Sequence, residues 1–148
     1  MAERTKIRHL PTRLATGAYI LNSGLSKLSA DEETSKQLHG AASNAYPQFE
    51  QLDPKLFTRA LAVTEIALGG ALLLPIVPSR LAGLGLAAFS GGLVGLYLRS
   101  PGLRQEGSIR PSPEGVGMAK DVWMLGIALS LVLDSRLTKR RKKAKSSG

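Results

Sequence analysis

The sequence predicts an all-α integral membrane protein, a bundle of four transmembrane helices with the N- and C-termini both cytoplasmic. Three observations predict it. The apolar residues come in blocks of span length, although mean hydropathy over the chain is close to zero (+0.01). Between Leu56 and Leu98 only Arg59, Glu65 and Arg80 are charged, whereas a soluble domain distributes charge along amphipathic elements. Positive charge gathers at one end: of a formal +9, residues 135–148 carry +7 and the rest of the chain +2. A near-neutral apolar body with a basic tail is not a uniformly basic nucleic-acid binder, and no specific nucleic-acid partner is expected.

The 148 residues make one domain. Residues 1–9 form a basic N-terminal segment, 10–134 the membrane bundle, and 135–148 a basic cytoplasmic tail. The spans are placed at about 10–28, 56–77, 81–98 and 119–133, each near the ~20 apolar residues that cross a hydrocarbon layer. The first, Leu10–Leu28, is too polar for a cleaved leader and reads as a span that stays. Its Thr12, Thr16, Tyr19, Ser23, Ser26 and Lys27 recur at helical spacing, a polar stripe turned toward protein. Ser29–Lys55 is a polar loop long enough for a short helix, and Ser29 with Glu32 fits a capping box at its start. Asp53-Pro54 then signals the next helix, a capping carboxylate followed by proline in the first turn.

The second span runs to the turn Pro75-Ile-Val-Pro78. In the third, Gly83, Ala87, Gly91 and Gly95 repeat every four residues, a helix-packing face, because lipid supplies no hydrophobic drive and close backbone approach must substitute. Ser100–Gly117 is rich in proline and glycine and is expected to be irregular. The fourth span is short, so tilt, local thinning or partners must help it cross. Counting lysine and arginine near span ends orients the bundle. Arg4, Lys6, Arg8, Arg13, Arg80 and the tail fall inside, outweighing Arg99, Arg104 and Arg110 outside. Phe57, Tyr97 and Trp123 then fall at the outer interface, where aromatic rings sit favourably.

With no cysteine, thiolate chemistry, iron–sulfur clusters and cysteine-bound zinc are excluded. His9 and His39 stand apart and no metal site is predicted. Glu65 is the sharpest signal. It lies roughly 13 Å into the second span, where a carboxylate is costly unless paired or protonated. Lys27, Tyr19, Asn22, Ser23, Lys120 and Asp121 fall at similar or shallower depth and complete a candidate intramembrane polar cluster. The tail residues Lys139, Arg140, Arg141, Lys142, Lys143 and Lys145 suit anionic headgroups, each contributing ~1 kcal/mol near the surface, or a partner subunit.

The string Asn22-Ser-Gly-Leu-Ser-Lys27-Leu28 resembles the end of the first helix in DoxX-like membrane proteins. Glu65-Ile-Ala-Leu-Gly-Gly-Ala-Leu-Leu-Leu74 resembles their second helix, and Arg80-Leu81-Ala82 and Lys120-Asp121 match as well. The resemblance extends over roughly Arg13–Leu133; the long loops after the first and third spans and the basic tail depart from it. It implies a four-helix protein of the bacterial plasma membrane, with relatives that serve thiosulfate:quinone oxidoreduction or redox-defence complexes. It also carries the family's polar positions to Lys27, Glu65, Lys120 and Asp121.

Three functions follow as expectations. The foremost is a non-catalytic accessory or assembly subunit of a larger membrane complex, respiratory or quinone-linked, with membrane lipids and other subunits as partners. The alternative is an oxidoreductase component that binds a quinone or small substrate near Glu65. A small transporter formed by a homo-oligomer is third. The residues favour a non-enzymatic role and reveal no cofactor, a quinone being the one the cluster would suit.

Overall fold

The computed structural model describes residues 6–146, without the side chains of Ser135, Thr138 and Lys139. It is all-α, 80% helical. The helices are α1 (Leu10–Leu28), α2 (Glu32–Ala45), α3 (Pro54–Leu73), α4 (Ser79–Arg99), the single turn α5 (Val116–Ala119) and α6 (Asp121–Ser146). Three segments, Pro54–Leu73, Ser79–Arg99 and Val116–Asp134, are long and apolar enough to cross a membrane. Only 33%, 33% and 28% of these windows are buried inside the protein, so apolar surface such as Val63, Leu81, Leu84, Leu129 and Leu133 faces outward. In water that much exposed hydrocarbon marks an interaction surface; in lipid it is the solvent-facing side.

Two antiparallel pairs make up the body, α1 with α3 and α4 with α6. Glycine sets the first. A Cβ at Gly69 would come within 2.7 Å of the Leu21 backbone nitrogen, and one at Gly24 within 2.9 Å of the Ala62 carbonyl. A Cβ at Gly17 would lie 3.0 Å from Leu72 and Leu73. These contacts run from Gly17 to Gly24 on α1 and from Ala62 to Leu73 on α3. Between the pairs lies a core of Ile20, Leu68, Leu72, Ala82, Leu86, Met124, Ala128 and Leu131.

The seam of α1 and α3 is thus set by glycines outside the predicted stripe of α4. On that stripe, Gly83 meets Ala128 and Leu131 of α6, Ala87 packs partly buried on the core, and Gly95 abuts the Tyr46 hydroxyl. Gly91 has open space where a Cβ would stand. Four-residue spacing drifts around a 3.6-residue helix, so these small residues meet three different environments. Gly69→Val is expected to destabilise the protein by about 1–3 kcal/mol, the usual cost of overpacking. Gly91→Ala should stay within about 0.5 kcal/mol of the parent; thermal unfolding in mild detergent compares them.

Local chemistry places the helix ends. Asp53 caps α3, its carboxylate accepting from the Leu56 amide at 3.0 Å, with Pro54 in the first turn as predicted. The start of α2 differs from expectation. Its cap is Asp31, which accepts from the Thr34 amide at 2.8 Å, while Ser29 closes α1 and donates back to the Ser26 carbonyl. Asp31 has the extended backbone a cap needs (φ −72°, ψ 175°), whereas Ser29 does not (φ −100°, ψ 12°). Hydrogen bonds from the Thr34 hydroxyl and amide hold the Asp31 carboxyl below its ordinary range.

Two further expectations change. The 100–117 loop is partly regular, with a 3-10 turn (Pro101–Leu103), an antiparallel bridge between Arg104 and Pro111, and α5. The tail continues α6 without a break to Ser146, because lysine, arginine and alanine are all good helix formers. Trp123 is 75% exposed, as an interfacial ring would be, but Tyr97 is buried beneath the loop and donates to the Ile109 carbonyl at 2.8 Å. Phe57 is half-buried against His39 and Phe49.

Candidate functional site: a charged chamber between the helix pairs

Gly17, Ile20, Gly24 and Lys27 recur at three- and four-residue steps and share one face of α1; Ala62, Glu65 and Gly69 share one face of α3. The glycine contacts fix the register of these faces, and that register brings Lys27 to Glu65. The Lys27 Nζ lies 3.0 Å from Glu65 Oε2 and 3.2 Å from Oε1. It also donates to the Ser23 hydroxyl at 2.7 Å, and that hydroxyl donates to Glu65 Oε1 at 3.4 Å. Glu65 is buried, and its Oε2, although ion-paired, has no well-aligned hydrogen-bond donor. The carboxylate is thus compensated in charge but not saturated in hydrogen bonds.

Asp121, the first residue of α6, is buried at 6% exposure and lies within electrostatic reach of Lys120, Glu65 and Lys27. Among the described residues its carboxylate receives no hydrogen bond. Lys120 turns the other way: its ammonium donates to the Tyr19 hydroxyl and stands 5.0 Å from the centre of that ring. This bridge joins α1 to the start of α6 at the rim. Asn22 does not join the group. Its side chain is exposed, and its carbonyl takes the Ser26 hydroxyl, because residue 22 lies on the opposite side of α1 from Gly24 and Lys27.

Glu65, Lys27, Ser23, Asp121, Tyr19 and Lys120 all border one chamber of about 650 Å3. The rest of its wall is mainly apolar, including Ile20, Leu61, Phe89, Leu93, Leu96 and Met124. Apolar walls with a few convergent polar groups are the usual character of a small-molecule site. Among the described residues no three histidine or acidic side chains come together to hold a metal.

The roof of the chamber was not evident in the sequence. The segment expected as a polar loop supplies Leu38, Ala42, Tyr46 and Phe49 to the wall. Tyr46 fastens it, donating to the Gly92 carbonyl at 2.8 Å with the Arg99 guanidinium 4.8 Å from its ring. His39 belongs to this fastening: its Nε2 lies 2.7 Å from the Phe49 carbonyl. The signal was present as an apolar face at 38, 42, 45 and 46, diluted by the acids before it.

A second polar cluster, at the opposite end, was also missed. Arg13, 1% exposed, donates to the carbonyls of Ala71, Leu72, Leu74 and Val77 and to the Ser79 hydroxyl at 2.8–3.0 Å. Beside it, His9 reaches Ser79 through Nδ1 at 3.0 Å and Asp134 through Nε2 at 2.7 Å. Lys6 and Arg8 also bind Asp134. The residues before α1, the α3–α4 turn and the end of the last apolar segment therefore meet at one end of the bundle. Of the tail, Arg140, Arg141, Lys142, Lys143 and Lys145 are exposed on α6, and the Lys139 side chain lies outside the described part.

A family model described as DoxX matches residues 9–96, from the start of α1 to near the end of α4. No curated protein and no solved structure matches the chain.

Proposed function

Because this chain belongs to the DoxX family, whose resemblance carries Lys27, Glu65, Lys120 and Asp121, we propose that it is a four-span protein of the bacterial plasma membrane whose chamber receives a small amphiphile of the quinone type. The fourth crossing is α1. It is more polar than the others, but it packs antiparallel against α3 from Gly17 to Gly24, and a helix paired in this way crosses with its partner. Thr16, Ser23 and Lys27 are buried or half-buried against protein, where they need not be exposed to hydrocarbon, whereas Asn22 and Ser26 of the predicted polar stripe and cluster are exposed. The basic end, with Lys6, Arg8, Arg13 and the tail, lies toward the cytoplasm by the positive-inside rule.

The observation that carries the reading is the union of a mostly apolar 650 Å3 chamber with Lys27, Glu65 and Asp121 at its polar end. A purely structural Lys27–Glu65 pair would not need an apolar pocket next to it. A photoreactive quinone analogue should label the wall segment Leu38–Phe49 in membranes. Leu61→Trp, which fills the chamber with a larger ring, should remove that labelling while the protein stays monodisperse. Equal labelling of the filled variant would end the proposal.

A second reading concerns partners. α6 extends beyond its apolar part as an exposed basic helix to Ser146, a surface suited to anionic headgroups or to an acidic face of another subunit. On this basis the protein serves as an accessory subunit of a larger respiratory or quinone-linked complex. Purification from native membranes in mild detergent tests it: the reading requires other subunits in fixed ratio, and a homogeneous particle of this chain alone contradicts it.

A further inference from the structure

We propose that the small pocket between the segment before α1 and the last helix holds the phosphate of an anionic glycerophospholipid of the cytoplasmic leaflet, with an acyl chain lying along α6. The proposal is independent of the chamber, which lies toward the other end of the bundle. The pocket has a volume of about 340 Å3 and is bordered by Lys6, Arg8, Asp134, Leu137 and Arg141. Asp134, Leu137 and Arg141 share one side of α6, because steps of three and seven residues return to nearly the same direction on a helix.

Charge is the first ground. The wall carries three cations and one carboxylate, a formal excess of two positive charges. Lys6 and Arg8 are both engaged with that carboxylate. Arg8 donates to its two oxygens at 2.5 and 2.7 Å, while Lys6 at 3.2 Å and His9 at 2.7 Å meet Oδ2. One negative charge still cannot offset Lys6, Arg8 and Arg141 together, and His9 adds to the excess whenever it is protonated. Residues 1–5 leave the count unchanged, since the charges of Glu3 and Arg4 cancel. Arg141 is exposed and makes no ion pair among the described residues. A phosphate suits it, because phosphate oxygens match the guanidinium fork.

Position is the second ground. Asp134 ends the last apolar segment, Val116–Asp134, so the pocket stands where hydrocarbon gives way to headgroups. Leu129, Leu133 and Leu137 follow at steps of four on α6 and are 49%, 55% and 59% exposed. They form an apolar lane about 12 Å long, leading from the pocket into the membrane. One leaflet supplies half of the ~30 Å hydrocarbon thickness, so an acyl chain covers such a lane. A free phosphate would leave it bare. The basic tail attracts any anionic surface through its summed charge, whereas this pocket places one phosphate between two distant segments of the chain.

The test places the full chain in phosphatidylcholine nanodiscs with increasing phosphatidylglycerol, at ~0.15 M salt, where widely separated exposed charges are screened. The melting temperature should rise with phosphatidylglycerol and level off. Arg140→Gln is the control for Arg141→Gln: it removes the same charge, but from a position turned about 120° away from Asp134. Arg141→Gln should raise the mole fraction at half-effect at least about fivefold more than Arg140→Gln does. Equal shifts for the two variants reduce the effect to diffuse attraction and overturn the proposal. So does a parent protein indifferent to phosphatidylglycerol. Glycerol 3-phosphate, added to discs of phosphatidylcholine alone, should leave the melting temperature unchanged; the same rise as with phosphatidylglycerol makes a free phosphate the occupant and overturns the lipid. Both arginines are exposed, and the comparison of lipid with glycerol 3-phosphate on the parent protein stands without either variant. None of these outcomes touches the chamber reading.

Discussion

Arg13→Met is expected to destabilise the protein by about 3–5 kcal/mol, the range seen when one member of a buried charged network is removed. The guanidinium has five N–H donors, and its partners include four backbone carbonyls and the Ser79 hydroxyl. Two of those carbonyls, of Ala71 and Leu72, lie in the last turn of α3, where no further helical amide donates to them, while that of Leu74 also accepts the Val77 amide at 3.2 Å. A methionine has similar length and no donor, so these groups would be left bare in a setting with little water, where each unsatisfied group is expensive. Arg13→Lys should recover only part of the loss, because one ammonium cannot reach acceptors spread across a planar fork. Unfolding in mixed detergent micelles measures both variants. A loss below about 1 kcal/mol for the methionine variant would mean that water replaces the guanidinium.

Lys27→Met should produce a loss of similar size, again about 3–5 kcal/mol, because it leaves the Glu65 carboxylate buried without its counter-charge. The informative comparison is with Glu65→Gln and with the double variant. Glu65→Gln should cost less, since a neutral amide can still accept from Lys27 and Ser23 and leaves only the half-buried ammonium unpaired. Lys27→Met combined with Glu65→Leu should approach the parent, as replacing a whole buried pair by apolar groups is often neutral. A double-mutant cycle isolates the coupling. Strict additivity would show that the two side chains do not interact in the membrane.

The candidate site was half legible in the sequence. Glu65 is conspicuous as the single acid in a long apolar run, and Lys27 was one of the basic residues placed above it. Asp121 and Lys120 were named as a pair and both border the chamber, Lys120 also donating to Tyr19. Asn22 was included because depth alone was used, and depth says nothing about which side of α1 a residue occupies. Arg13 entered only as a positive charge that orients the chain. Its structural role depends on carbonyls some 60 positions away, and no local pattern announces a contact of that kind.

What the sequence determined by itself is local in origin. Apolar blocks, proline and capping carboxylates decide where α1, α3 and α4 begin or end, and clustered lysine and arginine decide which end is basic. Each of these effects acts over a few residues, so it can be read from a few residues. The tertiary structure alone decided that α2 roofs a chamber, that Lys27 pairs with Glu65, and that Arg13 closes the end of α3. Those outcomes depend on the sliding and rotation of α1 against α3, which Gly17, Gly24 and Gly69 set by bringing two backbones into contact. A shift of one residue along that seam would rotate the facing side chains by about 100° and assemble a different set of polar groups.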